Sequence, residues 1–543
     1  MTFKKIQLYY NTLKYLRRKQ IAYRLWYFIR SRVRKIRGFS YKFTETLPLS
    51  IHTNFDTSIA SYTSYLGKSH FTFLNLSQKF EQDINWEFGD YGKLWTYNLT
   101  YFDFLNQKDS DTYKSDFKII IDDFIQKQAH LKNAVEPFPI SLRGINWIKY
   151  FSQNNIQNPD YDRSLFQQYQ ILSDNIEYHL LGNHLLENGF SILFGAVYFQ
   201  HAPFFKIANG ILTSELNEQI LADGAHFELC PMYHKIMLFR TMDCYNLLKN
   251  NKLNAPSVSD KEKAALEKLL YDKAVLMLAW LSNMTYSDGT TPHFGDSTDG
   301  IAPTTTELFD YAQRLNLTSP NIPLSHSGFR KLKNQNFELV AKIGQIGPDY
   351  IPGHAHADSL SFELHIKGKP VLVDTGISTY EANERRQKER STSSHNTLEI
   401  KEQNSSEVWG SFRVANRAKT KILKDTPTEL CAEHDGYKKW GSTHKRQFIL
   451  KEDSVEIIDE TAKEVESKAH WHFPPSLKPK LNKDCIYFEG GMIQFLINKK
   501  DNSIIEKIEG LDYFYPPQYN TLLEATKVTV TFKGTLQTQI SYL

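Results

Sequence analysis

The spacing of apolar residues changes character once along this chain, and that change limits the folds that are possible. Before about residue 330, apolar residues recur at helical spacing, as in TYKSDFKIIIDDFIQKQAHL and KEKAALEKLLYDKAVLMLAWLSNM. After about residue 335 they alternate with polar residues, as in LSFELHIKG and KVTVTFKGTLQTQISYL. A chain of 543 residues is also too long for one ordinary core. The sequence therefore predicts an α+β multidomain protein.

The predicted domains follow from this change of pattern. Many successive helices joined by short loops are typical of a helical bundle or an (α/α) toroid. We predict a basic helical arm over residues 1–58, a helical domain, either a bundle or an (α/α) toroid, over residues 59–330, and an antiparallel β domain of the sandwich type over residues 331–543. LKEDSV and FEGGMI predict β-hairpins. A cleft between two such domains is a natural position for a functional site.

The first 44 residues contain no Asp or Glu, and Lys and Arg are dense among them. Their longest apolar run, LWYFI, is shorter than the roughly 7–15 residues of a signal-peptide core. This stretch is either a helix on a membrane surface or an arm docked on its own domain. We expect a cytoplasmic or inner-membrane-peripheral protein rather than a periplasmic one. The net charge of +4 indicates no nucleic-acid partner, and the oligomeric state stays open.

Two histidines stand at the start of a predicted strand pair that ends in a carboxylate. His354 and His356 point to the same side if their segment is extended. A hairpin that turns at KGK returns Asp374 to the neighbourhood of His356, and His395 precedes another strand. Two imidazoles and a carboxylate suit zinc. The alternative is that each histidine is a separate hydrogen-bonding loop residue.

Two motifs of the helical part carry polar residues that can face a cleft. Asn183 and His184 precede a helix in LLGNHLLENGFS, and Glu187 follows within one turn. An amide beside an imidazole can polarise an acid group while the imidazole takes a proton, although Asn is also a common helix N-cap. Tyr233 follows Pro231 at a predicted helix start, where its ring either faces a cleft or packs in the core.

A third motif, EPFPISLRGINWIKYF, places Arg143, Asn146 and Trp147 on or near one helical face. Arg143 can bind a carboxylate through paired hydrogen bonds, and Trp147 can stack under a sugar ring. The aromatic content of 13% suits carbohydrate stacking, but it equally suits a large helical core. Structural roles for these three residues are therefore an equal alternative.

Taken together, GNHLLENG, ELCPMYH, GHAHADSLSFELHIKGKPVLVDTG and STSSHNTLEI resemble the heparinase II/III family of polysaccharide lyases and related alginate lyases. The resemblance covers roughly residues 85–500. It implies an N-terminal (α/α) toroid followed by an antiparallel β-sandwich. Asn183 and His184 match the family's Asn–His pair, Tyr233 matches its catalytic tyrosine, and Glu187 corresponds to an acidic residue that lines the cleft. His354 matches a histidine that helps to neutralise the substrate carboxylate.

The resemblance also implies a cofactor and a reaction. His356, Asp374 and His395 match the ligands of a structural zinc that several members contain. The implied reaction is β-elimination on a uronic acid within an acidic polysaccharide of bacterial surface or exopolysaccharide metabolism. Tyr233 or His184 removes the C5 proton, and Tyr233 is the better candidate to protonate the leaving oxygen.

Two rival functions remain open at the level of the sequence. A glycoside hydrolase on the same toroid needs two carboxylates in the cleft, and Asp223, Glu228, Asp288 and Asp296 are available in loops. A non-catalytic polysaccharide-binding or assembly protein needs the cleft alone.

Overall fold

The computed structural model of the chain describes residues 3–43, 47–497 and 503–543, so residues 1–2 and 44–46 of the predicted arm lie outside the described residues. The α-helices in the described part are α1 (Phe3–Leu13), α2 (Arg18–Ile36), α3 (Lys93–Tyr101), α4 (Lys114–Lys127), α5 (Pro137–Gln153), α6 (Pro159–Asp174), α7 (Gly182–Tyr198), α8 (Ala202–Gln219), α9 (Pro231–Asn250), α10 (Asp260–Met284), α11 (Thr305–Arg314) and α12 (Glu384–Glu389).

The strands are β1 (His70–Phe73), β2 (Leu76–Lys79), β3 (Phe329–Lys333), β4 (Phe337–Lys342), β5 (Phe362–Ile366), β6 (Lys369–Leu372), β7 (Leu398–Ile400), β8 (Val408–Trp409), β9 (Arg413–Val414), β10 (Thr420–Asp425), β11 (Glu429–His434), β12 (His444–Leu450), β13 (Ser454–Thr461), β14 (Ser467–His472), β15 (Lys480–Asn482), β16 (Cys485–Phe488), β17 (Gly491–Ile497), β18 (Ile504–Tyr515), β19 (Leu523–Lys533) and β20 (Thr535–Tyr542). The predicted order of a helical part followed by a β part is confirmed.

The helical part packs around α7. Every residue of α7 except His184 is buried, because this helix lies against α5, α8 and α9. The longest helix, α10, begins with a capping box: Glu262 N–H donates to Ser259 Oγ, and Ser259 N–H donates to Glu262 Oε2. The start of α7 is thus the one place on this helix where a side chain reaches out of the core.

The β part consists of stacked antiparallel sheets. The largest has the strand order β10-β11-β12-β13-β20-β17-β16-β15, and two four-stranded sheets have the orders β18-β19-β14-β7 and β3-β4-β5-β6. Their inner faces share one apolar core, in which the buried ring of Phe362 contacts the rings of Phe448 and Trp471. This is the arrangement of a β-sandwich.

The predicted hairpins are confirmed. β5 and β6 pair across the turn at Lys367 and Gly368, as the KGK segment predicts. LKEDSV joins β12 to β13, and FEGGMI joins β16 to β17. The β5–β6 hairpin returns Asp374 to the start of β5, where the Ser361 hydroxyl donates to Asp374 Oδ2 at 3.4 Å.

A buried ion pair ties the largest sheet to the segments that lead into the site. Arg446 Nε donates to Asp459 Oδ1 at 2.8 Å, and neither side chain has exposed surface. Arg446 Nη1 donates in addition to the carbonyls of Leu360 and Asn396. Because those carbonyls lie just before β5 and β7, the pair fixes the loops that carry the predicted metal ligands.

The arm helices α1 and α2 lie on the rest of the chain, with the Gln20 amide donating to the Leu180 carbonyl at 3.0 Å. Among the helices of the described residues, none is both long enough and apolar enough to pass through a membrane.

Candidate active site

A cavity of about 470 Å³ lies where the helical part meets the β part. Four residues singled out from the sequence line it: Asn146, Asn183, Glu187 and Tyr233. The β part contributes Tyr380 and the loop after β18, whose Tyr519 also lines the wall. The cavity is therefore bounded by residues that are far apart in sequence, as a cleft between domains requires.

The backbone before α7 positions Asn183. Gly182 has a φ of +60°, and a Cβ atom there would lie 2.9 Å from the Ile351 side chain and 3.0 Å from Glu228 Oε1. Only glycine suits this position. Asn183 then donates through its backbone N–H and its Nδ2 to the two oxygens of Glu228, at 3.3 and 3.1 Å. The N-cap of α7 is Leu181, so the alternative that Asn183 caps the helix is wrong.

His354 is at the centre of the site. Its Nδ1 lies 2.8 Å from Asp296 Oδ2, and its Nε2 lies 3.3 Å from Asn183 Nδ2. The ring of Tyr233 stacks on the His354 ring, with centroids 3.8 Å apart. The Tyr233 hydroxyl lies 3.1 Å from the Tyr380 hydroxyl. The structure thus brings together Asn183, Tyr233 and His354 from three distant segments.

Asp296 holds this cluster together through its hydrogen bonds. From the sequence it was a candidate only for one of the two carboxylates of a glycoside hydrolase. It is buried and accepts two hydrogen bonds from Arg386, at 2.5 and 2.8 Å, and one from His356 Nε2 at 2.8 Å. Burial raises the pKa of Asp296, but Arg386 and the two histidines outweigh burial and hold that pKa well below its usual value. The ionised carboxylate therefore orients the His354 ring through Nδ1.

Tyr233 is held in its neutral form. Burial raises the pKa of the Tyr233 phenol well above its usual value, and the nearby carboxylates of Asp296 and Glu228 add to this effect, against the hydrogen bond with Tyr380. A phenol with such a pKa keeps its proton near neutral pH. Tyr233 can accordingly donate a proton in the resting state.

His184 stands beside the cavity rather than in this cluster. Its Nδ1 lies 3.1 Å from Glu177 Oε1, and its ring packs against Phe138, which lines the cavity. Burial lowers the pKa of His184, but the Glu177 carboxylate outweighs burial, so that the pKa is raised above its usual value. An imidazole oriented through Nδ1 has Nε2 available for proton transfer.

Two residues expected to bind substrate belong to the core instead. Arg143 is fully buried and donates to the carbonyls of Thr100 and Ala134, at 2.9 and 2.8 Å, and to Gln168 Oε1. Trp147 is also fully buried among aromatic rings. The interpretation of Arg143 and Trp147 as substrate-binding residues is wrong, since helix α5 is buried on several sides and these two side chains point away from the cavity.

Asn146 and Glu187 do face the cavity. Asn146 Nδ2 donates to the Tyr101 carbonyl at 2.9 Å and to the Asp103 carboxylate. Glu187 Oε1 lies 3.5 Å from Arg240 Nε. Burial raises the pKa of Glu187, although Arg240 opposes this shift. Both residues therefore form a polar floor of the cavity.

The three predicted zinc ligands lie close to one another behind the cluster. The rings of His356 and His395 have centroids 5.2 Å apart, and His395 Nδ1 is 2.9 Å from Asp374 Oδ2. His356 Nδ1 and His395 Nε2 are buried and have no hydrogen-bond partner among the residues that the structure describes. Over residues 3–43, 47–497 and 503–543, however, no three His, Cys, Asp or Glu side chains are gathered to hold a metal ion. The zinc stays a prediction.

The carboxylates considered for a hydrolase have other partners. Asp223 accepts hydrogen bonds from Ser325 and Ser327, and Asp288 accepts from Thr290. Glu228 and Asp296 lie in the site, where both contact His354. Their contacts are those of groups that orient the His354 imidazole and the Asn183 amide.

Two family models together span nearly the whole chain. The model described as heparinase II/III N-terminus matches residues 10–316, and the model described as heparinase II/III-like, C-terminal, matches residues 317–542. A heparin-sulfate lyase of Pedobacter heparinus is 25% identical over 314 residues, which cover 52% of this chain and 45% of that protein. A heparin-sulfate lyase of Bacteroides stercoris is 24% identical over 256 residues, covering 42% of this chain and 37% of that protein. The match spans less than half the length of either relative.

Solved structures share the architecture. A heparinase III structure is similar with a TM-score of 0.64 at 17% identity, covering 86% of this chain and 80% of that chain. A heparan sulfate lyase from Pedobacter heparinus has a TM-score of 0.57 at 20% identity, covering 88% and 81%. At these identities the likeness establishes the fold alone. The predicted toroid followed by a β-sandwich is confirmed.

The contact between Glu177 and His184 predicts a specific titration. Glu177→Gln removes the charge that raises the pKa of His184 while burial continues to lower it, so the pKa of His184 should fall. Nuclear magnetic resonance of histidine-labelled protein, assigned with a His184→Gln variant, measures that pKa. The control Glu218→Gln changes a carboxylate that pairs with Arg17 and should leave the pKa of His184 unchanged. An unchanged pKa in Glu177→Gln would contradict the interaction.

Proposed function

The chain belongs to the heparinase II/III family, and from this membership we propose that it is a polysaccharide lyase that cleaves a uronate-containing polysaccharide by β-elimination. The observation that carries the proposal is the cluster of Asn183, Tyr233 and His354, of which Asn183 and Tyr233 line the cavity between the two parts of the chain. An amide, an imidazole and a phenol are the group types that this reaction needs: donors for a carboxylate and a donor for the leaving oxygen.

Removal of the C5 proton builds negative charge on the uronate carboxylate, and the cluster is arranged to receive it. Asn183 Nδ2 and His354 Nε2 lie 3.3 Å apart, close enough for one carboxylate to contact both. Asp296 accepts a hydrogen bond from His354 Nδ1 and so fixes the orientation of the ring. Burial raises the pKa of the neighbouring Glu228, although the His354 imidazole opposes this shift, and a raised pKa weakens the repulsion between Glu228 and a substrate carboxylate.

We assign the two proton transfers to different residues. His184 Nε2 takes the proton from C5, with its Nδ1 held by Glu177. The electron pair of the C5–H bond forms the C4–C5 double bond, and the C4–O4 bond breaks. The Tyr233 hydroxyl gives its proton to O4, since its raised pKa keeps it protonated until the oxygen leaves. Solvent then restores both residues.

The lyase assignment predicts a spectroscopic product. Incubation with uronate polysaccharides should generate ultraviolet absorbance from a double bond conjugated to the carboxylate. Tyr233→Phe and His184→Ala should each lower the rate by about 10²–10⁴-fold, because each removes a proton-transfer group. Tyr62→Phe is the matched control, since its hydroxyl also lies at the cavity but donates to the Ala302 carbonyl, and it should retain the rate.

Other outcomes of this assay are informative. New reducing ends without ultraviolet absorbance would contradict the lyase assignment and indicate a hydrolase. Binding of a polymer without turnover, unchanged in Tyr233→Phe, would replace it by a non-catalytic binding protein.

The charges of the cavity restrict the substrate. Among the described residues its lining has two cations, Lys149 and Arg240, and both are already paired: Lys149 with Asp243, and Arg240 with Glu187 and more distantly with Asp243. The lining also has four carboxylates, from Asp103, Glu187, Asp299 and Glu307. A sulfate group needs a free cation or a preorganised set of donors. We therefore propose that the polymer carries uronate but few sulfates near the bond that is cleaved.

This proposal predicts a ranking of substrates. The kcat/KM for an unsulfated uronate polymer should exceed that for its sulfated counterpart by about tenfold or more, since tenfold corresponds to only about 1.4 kcal/mol. Glu187→Gln removes a carboxylate that pairs with Arg240 and should reduce the difference in kcat/KM between the two polymers. The control Glu218→Gln, outside the cavity, should leave that difference unchanged. A preference for the sulfated polymer would contradict the charge argument and leave the lyase assignment intact.

We also propose that His356, Asp374 and His395 bind a structural zinc. The donor types suit zinc, and the buried, unpartnered nitrogens His356 Nδ1 and His395 Nε2 support it. Zinc would brace the loops behind His354, and no proton transfer above depends on it.

Metal analysis tests the zinc. The purified protein should contain about one zinc per chain, as a closed structural site does. His395→Ala should lose the metal, and the control His326→Gln, at an exposed histidine, should retain it. Protein free of zinc after purification without chelators would contradict this proposal.

A further inference from the structure

One side of α2 is apolar and exposed to solvent. Its side chains are between 46% and 85% exposed and belong to Ile21, Leu25, Trp26, Phe28, Ile29 and Ile36. At 100° per residue, these positions span about 160° of the helix circumference, and the exposed Arg18 and Arg32 lie on the same side, beyond the two ends of the stretch from Ile21 to Ile29. We call this set the outer face of α2. Monomeric proteins rarely expose a contiguous apolar surface that has no partner.

The opposite side of α2 is already docked. The Gln20 amide donates to the Leu180 carbonyl at 3.0 Å, the Tyr27 hydroxyl donates to the Ile176 carbonyl at 2.5 Å, and Arg30 donates to the Asp174 carbonyl at 2.5 Å. These residues are seven and three positions apart, which places them on one stripe of the helix. The helix therefore cannot rotate to bury its outer face without losing these hydrogen bonds.

The charge around the outer face has one sign. Residues 1–44 contain no Asp or Glu, whereas the whole chain is nearly balanced, with 65 basic and 61 acidic residues. Arg18, Arg32 and Lys35 of α2 are exposed beside the apolar side chains. Pairing of this face with the same face of a second copy would bring these cations together, which is unfavourable. An anionic partner is complementary to it.

We propose that the outer face of α2 docks on the surface of an anionic lipid bilayer. A helix with Trp, Phe and Leu on one side and with Lys or Arg close to them lies in the plane of the headgroups, with the apolar side chains in the acyl boundary. Anionic headgroups attract the basic residues within a Debye length. The protein is then peripheral to a membrane, and this inference does not depend on the reaction that the cavity supports.

Sedimentation of the full chain with vesicles tests the proposal. The protein should bind vesicles of phosphatidylcholine and phosphatidylglycerol, should bind pure phosphatidylcholine vesicles weakly, and should dissociate as salt is raised. Combined substitution of Leu25→Ser, Trp26→Ser and Ile29→Ser should weaken binding by at least about tenfold, because these side chains lose their place in the bilayer. The control Ile119→Ser, at a 67% exposed residue of α4, should bind as the parent does.

A second set of variants tests the charge. Arg18→Gln, Arg32→Gln and Lys35→Gln together should abolish the preference for anionic vesicles, while Lys108→Gln and Lys261→Gln, at exposed lysines elsewhere, should retain it. Circular dichroism establishes that each variant is folded. Absence of binding to anionic vesicles would overturn the proposal. So would a dimer of the full chain that the outer-face variant dissociates, because a second copy would then be the partner.

Discussion

The site depends on the hydrogen bonds that the buried carboxylate of Asp296 accepts. Asp296 lies in the segment between α10 and α11, yet Arg386, His354 and His356, which donate to it, all belong to the β part. The Asp296 backbone N–H also donates to the His354 carbonyl at 3.1 Å. A buried ion is costly unless its hydrogen-bonding capacity is filled, and here two segments are required to fill it. The contact thus fixes how the helical part and the β part meet.

The rest of the site follows from the orientation of His354. With Nδ1 bound to Asp296, the imidazole presents Nε2 to Asn183 and one ring face to Tyr233. The stacking places the Tyr233 hydroxyl next to Tyr380. A buried polar group is costly when it has no partner, and here each polar group of the site contacts the next one, from the core to the cavity. Preorganised donors of this kind need little rearrangement when charge develops on a ligand.

Local patterns in the sequence predicted the elements better than the contacts between them. The change of periodicity predicted the two parts, and the KGK turn predicted the return of Asp374, because both depend on neighbouring residues. The roles expected for Arg143 and Trp147 were wrong, since a helix buried on several sides gives no periodic signal for the side that faces a cavity. The pair of Asp296 and Arg386 spans 90 residues, and nothing local announces it.

Positive charge is separated from the cavity, and this separation bears on the proposal that the substrate is an acidic polymer. The cations near the cavity are neutralised by carboxylates, as Arg240 is by Glu187, whereas the unpaired cations of the arm lie on its outer surface. The proposed binding of a uronate therefore depends on short-range donors such as Asn183 and His354 and not on net positive charge in the cavity. The arm and the site still share one segment, because residues 174–180 hold α2 and carry Glu177, which orients His184. The segment that docks the arm is thus also the segment that positions His184.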